Sequence, residues 1–252
     1  MTTQSKILTN PPIVAAFCQI RFDWAMLPLN ALNAIESQLV ELYPIKIERY
    51  NSELNGLEEV KKKGVGRSKI NITTDTRINK IEYRSQNQRS KLIIAEDYIL
   101  FSDENKYESW EHFKANIQSV LEILSSVYGD INISRVSLRY VNRFVFDEFN
   151  DPTDYFTSTI SAVEGHDAVG NLYSYSFRLS MGLPNNIITH INHSLEMMPT
   201  NQYNYILDID VLDNSKIVYN SQTIIDSLSN VNNELVNIFF NNITSKTEAL
   251  CN

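Results

Sequence analysis

The sequence predicts an α+β fold, built as a largely antiparallel twisted sheet with long amphipathic helices packed on one face; two similar halves are an open option. Three observations predict it. Short runs of β-branched and aromatic residues alternate at period two and follow one another across polar pairs and triplets, without the helices that βαβ units would need between them. Two long segments, about 105–128 and 222–243, carry apolar residues at helical spacing. Each of these follows a cluster of strand-like runs, so the chain reads twice as a meander closed by a helix.

The elements follow in order. Pro11-Pro12 precede a strand over 13–22, with Val14, Ala16, Cys18, Ile20 and Phe22 on one face and the prolines at its entry, where a missing N–H does little harm. Pro28 opens a helix carrying Leu29, Leu32, Ile35, Leu39 and Leu42, and Pro44 stops it. A short strand, 45–50, comes next. Residues 51–68, NSELNGLEEVKKKGVGRS, read as a loop. Four short strands are expected at 70–74, 80–84, 92–95 and 98–102. The 105–128 helix presents Trp110, Phe113, Ile117, Val120, Leu121 and Leu124, and Gly129-Asp130 ends it. A long strand spans 131–146. A short helix at 153–163 and a loop at 164–171 lead to strands at 172–182, 187–198 and 203–212, the first two joined by the turn 183–186. The last helix, with Ser221 as its expected N-cap, carries Ile225, Leu228, Val231, Leu235, Ile238 and Phe239.

Only seven glycines and seven prolines, with 43% hydrophobic and 21% charged residues, exclude collagen-like, disordered and low-complexity classes. At 252 residues the chain suits one domain with a sizeable core. Two lobes, 1–147 (strand, helix, meander, helix, strand) and 153–252 (helix, three strands, long helix), are the alternative, since 147–153 is the best candidate boundary. A net charge of -8 argues against a surface built throughout for nucleic acid. No stretch approaches the roughly 20 apolar residues of a membrane span, and MTTQSKILTN lacks the apolar core of a secretion signal. A cytoplasmic location is expected. Cys18 reads as a buried, inert thiol and Cys251 as a frayed free one, with a disulfide between them disfavoured.

Three segments, in the same order along nearly the whole chain, resemble a sporadically distributed bacterial protein family of unknown function. They are NPPIVAAFCQIRFD with the following Leu-rich helix and Tyr43-Pro44; YESWEHFKANI with ISRVSLRYVNRF after it; and NNELVNIFFNNITSKTEAL. The resemblance implies scattered occurrence in mobile or defence-related bacterial gene neighbourhoods and an accessory role in the cytoplasm. It implies no catalytic residues.

The sharpest chemical feature is an arginine ladder. On the 131–146 strand one face holds Val136, Leu138, Tyr140, Phe144 and Phe146, interrupted by Asn142, and the other holds Arg135, Ser137, Arg139, Val141, Arg143 and Val145. Arginines at i, i+4 and i+8 then line about 26 Å at about 3.3 Å per residue. The 172–182 strand splits Tyr173, Tyr175, Phe177, Leu179 and Met181 from Ser174, Ser176, Arg178 and Ser180. The 203–212 strand puts Asp208 and Asp210 on one face. If these strands share a sheet, its polar face collects Arg135, Arg139, Arg143, Arg178, Asp208 and Asp210. Two explanations compete: a solvated face laced with Arg–Asp pairs worth a few tenths of a kcal/mol each, or a surface whose guanidinium forks grip carboxylates or phosphates.

A second basic element, KKKGVGRSK over 61–69, supplies Lys61, Lys62, Lys63 and Arg67 as secondary contacts; it lacks the spacing of a P-loop. His190 and His193, three apart on a strand, face opposite ways, so a metal site there is not expected. His112 sits one turn from Glu108, which suits a surface contact, and His166-Asp167 lies outside any triad motif. The aromatic stripes read as core. No cofactor is implied.

The function expected is that of a non-enzymatic cytoplasmic binding or regulatory protein. It would be antitoxin-like, or an accessory partner of another bacterial protein, in phage defence among other settings, and would act through the Arg-lined sheet face. Two alternatives stand beside it. One is a nucleic-acid or nucleotide-sensing module using the same arginines plus Lys61–Lys63; the other is a metal-dependent hydrolase built on Asp208 and Asp210. The balance is against an enzyme. Unpaired strand edges also make a homodimer an option.

Overall fold

The structure is a computed structural model that describes residues 8–23, 27–60, 69–104, 107–129, 131–149, 151–158 and 173–252, with backbone alone for 51–60 and 69–77. Its strands are β1 (Ile13–Phe22), β2 (Ile45–Val60), β3 (Lys69–Arg84), β4 (Ser90–Ala95), β5 (Tyr98–Glu104), β6 (Asn132–Phe146), β7 (Ser174–Gly182), β8 (Ile187–Met197), β9 (Tyr203–Asp213) and β10 (Ile217–Val218). Among the described residues four α-helices join them: α1 (Leu29–Leu42), α2 (Trp110–Tyr128), α3 (Ser221–Asn242) and α4 (Ser245–Leu250).

All ten described strands form one antiparallel sheet in the order β2-β3-β4-β5-β1-β6-β9-β8-β7, with β10 alongside the start of β6. The centre is the β1–β6 seam, where Cys18 faces Leu138 and Phe17 faces Arg139. Each side of the seam has the same plan: a first strand, then a meander whose last strand (β5 or β9) returns beside it, then a long helix.

Alternation divides the sheet into two faces. One carries Ala16, Cys18, Ile20, Phe101, Leu138, Tyr140, Leu207 and Ile209, all buried in one core cluster with residues of α1, α2 and α3. Side-chain bonds tie the helices to strands and to β10's surroundings. Tyr140 Oη donates to Asn232 Oδ1 of α3 at 2.8 Å, Lys46 pairs with Glu36 of α1 at 2.8 Å, and Tyr219 Oη donates to the Leu121 carbonyl of α2 at 2.8 Å. Asn142, the polar interruption in this face, is 1% exposed and donates to the Leu207 carbonyl at 3.0 Å, so its burial is satisfied across the β6–β9 ladder.

Several expectations need correction. Residues 51–60 are strand, not loop, because they pair with 69–77 as far as Val60↔Lys69; residues 61–68 lie outside the described ones. The separate strands expected at 70–74 and 80–84 are one, β3, for the same reason. Helix α2 starts at Trp110 because Ser109 Oγ accepts from the His112 N–H at 3.1 Å and ends the extended segment there. Asn220, not Ser221, caps α3, its Oδ1 accepting from the Thr223 N–H at 2.9 Å. The helix expected at 153–163 is, in its described part, a 3₁₀ turn at Pro152–Asp154. Cys251 is not frayed: it is 3% exposed, and its carbonyl accepts from the Asn10 N–H at 2.8 Å. Both cysteines are free. The Tyr173, Leu179 and Met181 part of the β7 stripe is exposed, not core. Among the described residues no helix is long and apolar enough to cross a membrane.

Candidate functional site

The second sheet face is where the ladder lies. Register places Arg139 of β6 opposite Asp210 of β9, Asp210 opposite His190 of β8, and His190 opposite Ser180 of β7. The neighbouring row runs Val141, Asp208, Asn192, Arg178. All six expected residues therefore share this face. They do not form one compact cluster: Arg178 lies three strands from β6, about 14 Å at about 4.8 Å per strand.

The four arginines differ in what they bind. Arg139 forms a bidentate pair with Asp208, Nε to Oδ1 and Nη2 to Oδ2 both at 2.7 Å, and stands 5.6 Å from the Phe17 ring centroid. That carboxylate holds the Arg139 guanidinium above its ordinary pKa. Asp208 is 7% exposed and also accepts from Asn192 Nδ2 at 3.2 Å, so its oxygens are committed to protein groups. Arg143 is exposed and donates from Nε to Asn204 Oδ1 at 2.8 Å. Arg135 is half-buried; its Nη2 donates to Gln19 Oε1, and its Nε has no partner. Burial and the facing Arg21 guanidinium push its pKa down. Arg178 is exposed. Among the described residues, Arg135, Arg143 and Arg178 have no carboxylate partner.

Asp210 stands apart from Asp208. It makes no hydrogen bond among the described residues, and burial raises its carboxyl pKa, with Arg139 and His190 pulling the other way. His190 instead shares a hydrogen bond with Ser180 Oγ, 2.9 Å from Nδ1. The Ser180–His190–Asp210 row has the residue types of a nucleophilic triad, but only the Ser–His contact is made.

Sequence reasoning missed Arg21 and Gln19. Both alternate onto the polar face of β1, and Arg21 lies directly opposite Arg135, yet it has its own carboxylate in Asp97 at 2.6 Å. The period-two signal that found the ladder on β6 was equally present on β1. On the described polar face outside the β2–β3 hairpin's outer part, nine basic side chains (Arg21, Arg49, Lys80, Arg84, Lys91, Arg135, Arg139, Arg143, Arg178) stand against six acidic ones (Glu82, Asp97, Glu104, Glu196, Asp208, Asp210), in a chain of net charge -8.

The other candidates fall elsewhere. Lys61, Lys62, Lys63 and Arg67 lie outside the described residues, as does His166-Asp167. His112 Nδ1 is 3.8 Å from Glu108 on exposed helix surface. His193 points to the opposite face from His190 and is fully buried, its Nδ1 2.7 Å from Tyr205 Oη and its ring stacked on Phe177 at 4.5 Å. Among the described residues no group of three or more His, Cys, Asp or Glu side chains is placed to hold a metal.

Chemically, the face offers fixed guanidinium donors spread over a broad surface, with hydroxyl and amide groups between them. No protein-family model matches this chain, and no curated protein matches it either.

Proposed function

We propose that the chain is a non-enzymatic binding protein of the bacterial cytoplasm that engages an acidic surface of another protein through its polar sheet face, as a regulatory, antitoxin-like or accessory partner. In this reading α1, α2 and α3 cover the apolar face and leave the polar one free for contact. One observation carries it: among the described residues Arg135, Arg143 and Arg178 lack carboxylate partners, on a face with excess positive charge, in an acidic chain. The planar guanidinium fork is preorganised for carboxylates, so less rotamer entropy is lost per hydrogen bond formed, and charge-assisted bonds are about twice as strong as neutral ones. Their spread, with two strands between those of Arg143 and Arg178, suits an extended surface better than a single phosphate. The carboxylates of Asp210 and Glu196 among them disfavour a continuous polyanion. Commitment of Asp208 to Arg139 and Asn192 weighs against a metal-dependent hydrolase. The resemblance of three segments to a family of mobile or defence-related neighbourhoods is consistent with a partner in phage defence.

The test is co-purification at native expression level, with mass spectrometry of bound proteins and nucleotides. Wild type is expected to retain a protein partner that Arg143→Glu retains in reduced amount and Arg143→Glu with Arg135→Gln loses, with circular dichroism unchanged. Retention by the double variant would overturn the reading. Loss on nuclease treatment, with steep salt dependence, would replace it with the nucleic-acid alternative.

A further inference from the structure

Strand β7 ends the sheet order, and no described strand pairs with its outer edge. Its inner edge shows which backbone groups face outward. The Met197 N–H donates to the Tyr173 carbonyl and the Leu183 N–H to the Ile187 carbonyl, both at 2.8 Å. Hydrogen-bonded pairs alternate in an antiparallel ladder. Odd-numbered residues of β7 therefore bond to β8, while Ser174, Ser176, Arg178, Ser180 and Gly182 turn their N–H and C=O groups out. This edge has nine residues, no proline and one charge, which makes it a template for another strand. The apolar side of β7 and the residue before it also stay uncovered, with Tyr173 63%, Met181 42% and Leu179 36% exposed.

We infer that β7 pairs antiparallel with β7 of a second copy of this chain, joining the two sheets across a two-fold axis. The charge on the strand selects the register. Full overlap sets Arg178 opposite Arg178 of the second copy, and directly opposed like charges destabilise. A shift that puts Phe177 on the axis sets Arg178 opposite Ser176, Tyr175 opposite Leu179 and Tyr173 opposite Met181, covering all three exposed side chains with about eight new backbone bonds. The opposite shift leaves Tyr173 uncovered. The chosen register also brings Arg178 to about 12 Å, Cα to Cα, from Glu196 of the second copy, two strands and two residues away, within the joint reach of both side chains. Neither Arg178 nor Glu196 has an ion pair among the described residues, and the two-fold supplies the complement twice; Arg178 is then held within the dimer, and Arg135 and Arg143 are the guanidiniums left for the proposed partner.

Disulfide cross-linking of Tyr173→Cys/Met181→Cys tests the register. These positions are eight residues apart on one strand, too far to bridge within a chain, and both native cysteines are buried. In the inferred pairing they form a non-hydrogen-bonded pair about 4.5 Å apart, which a disulfide can span. Mild oxidation should give a reducible dimer, and sedimentation of wild type at tens of micromolar should give twice the chain mass. Ser176→Pro removes an outward N–H that the fold does not use, so it should yield a folded monomer. A wild-type monomer, a dimer that survives Ser176→Pro, or a dimer that fails to cross-link would each overturn the inference. If Ser176→Pro does not fold, the cross-link decides. A monomer whose β7 takes up an extended segment of another protein would assign the edge to a different occupant and also overturn it.

Discussion

Asp208 is 7% exposed, and both its oxygens lie 2.7 Å from one guanidinium. Removing that partner leaves a nearly buried carboxylate with Asn192 alone, a loss of about 1–3 kcal/mol. Arg139→Ala should lower the urea midpoint accordingly, whereas Arg143→Ala, on an exposed side chain bonded to Asn204, should change stability by less than about 0.5 kcal/mol. Alternation placed these arginines on one face and ranked them equal. Their partners were hidden because Arg139 and Asp208 are brought together by the register of strands 69 residues apart. His193 shows the same limit: it is fully buried and its pKa is pushed down to about 4 by burial, with the Asn242 side chain opposing. A depressed pKa means that the unfolded chain takes the proton first. Stability from this group is then complete above about pH 6.5 and falls as pH drops towards 4, by about 2 kcal/mol between pH 7 and 5. Asp210, with its raised pKa, acts in the opposite direction at the lower end. The readout is therefore the difference between wild type and His193→Gln: the variant should show a flatter decline in urea midpoint over that range, and equal slopes would refute the assignment.

Among elements, the long helices α1, α2 and α3 were legible to within about five residues, because 3.6-residue periodicity is local, whereas the short α4 was not expected and 153–163 is, in its described part, a 3₁₀ turn; the N-terminal ends of α2 and α3 are set by single side chains, Ser109 and Asn220. Asn220 accepts from the Thr223 N–H and also, at 3.2 Å, from Thr223 Oγ1. Asn220→Ala should cost about 1 kcal/mol in thermal or urea unfolding. Ser221→Ala, one position inside the helix, should cost a few tenths. Strand limits were legible only where apolar residues marked them. The polar composition of 51–60 gives no such mark. It is strand because 69–77 supplies its hydrogen-bonding partner, with register shifts at Arg49/Tyr50 and Leu54/Leu57. For β7 the period gave the correct face, but nothing in the period says that its stripe stays uncovered at Tyr173, Leu179 and Met181.

At the scale of the molecule, the α+β class, the antiparallel pairing and the recurrence of meander then helix were all readable in chain order. Strand adjacency was not. That β1 sits between β5 and β6 depends on pairings such as Arg21↔Arg135 and Cys18↔Phe101, separated by more than 80 residues, and no local pattern encodes which of two equally apolar strands will be neighbours. This central seam also has a consequence in time. On the ribosome, β2 to β5 and β1 can assemble once Glu104 has emerged, but the other edge of β1 has no strand to meet until β6 is complete at Phe146. At about 5–20 residues per second, those 42 residues take about 2–8 s. For that interval the nascent chain presents the row Ala16, Cys18, Ile20 beside an open ladder, and the middle of the finished sheet is, during synthesis, its most vulnerable edge.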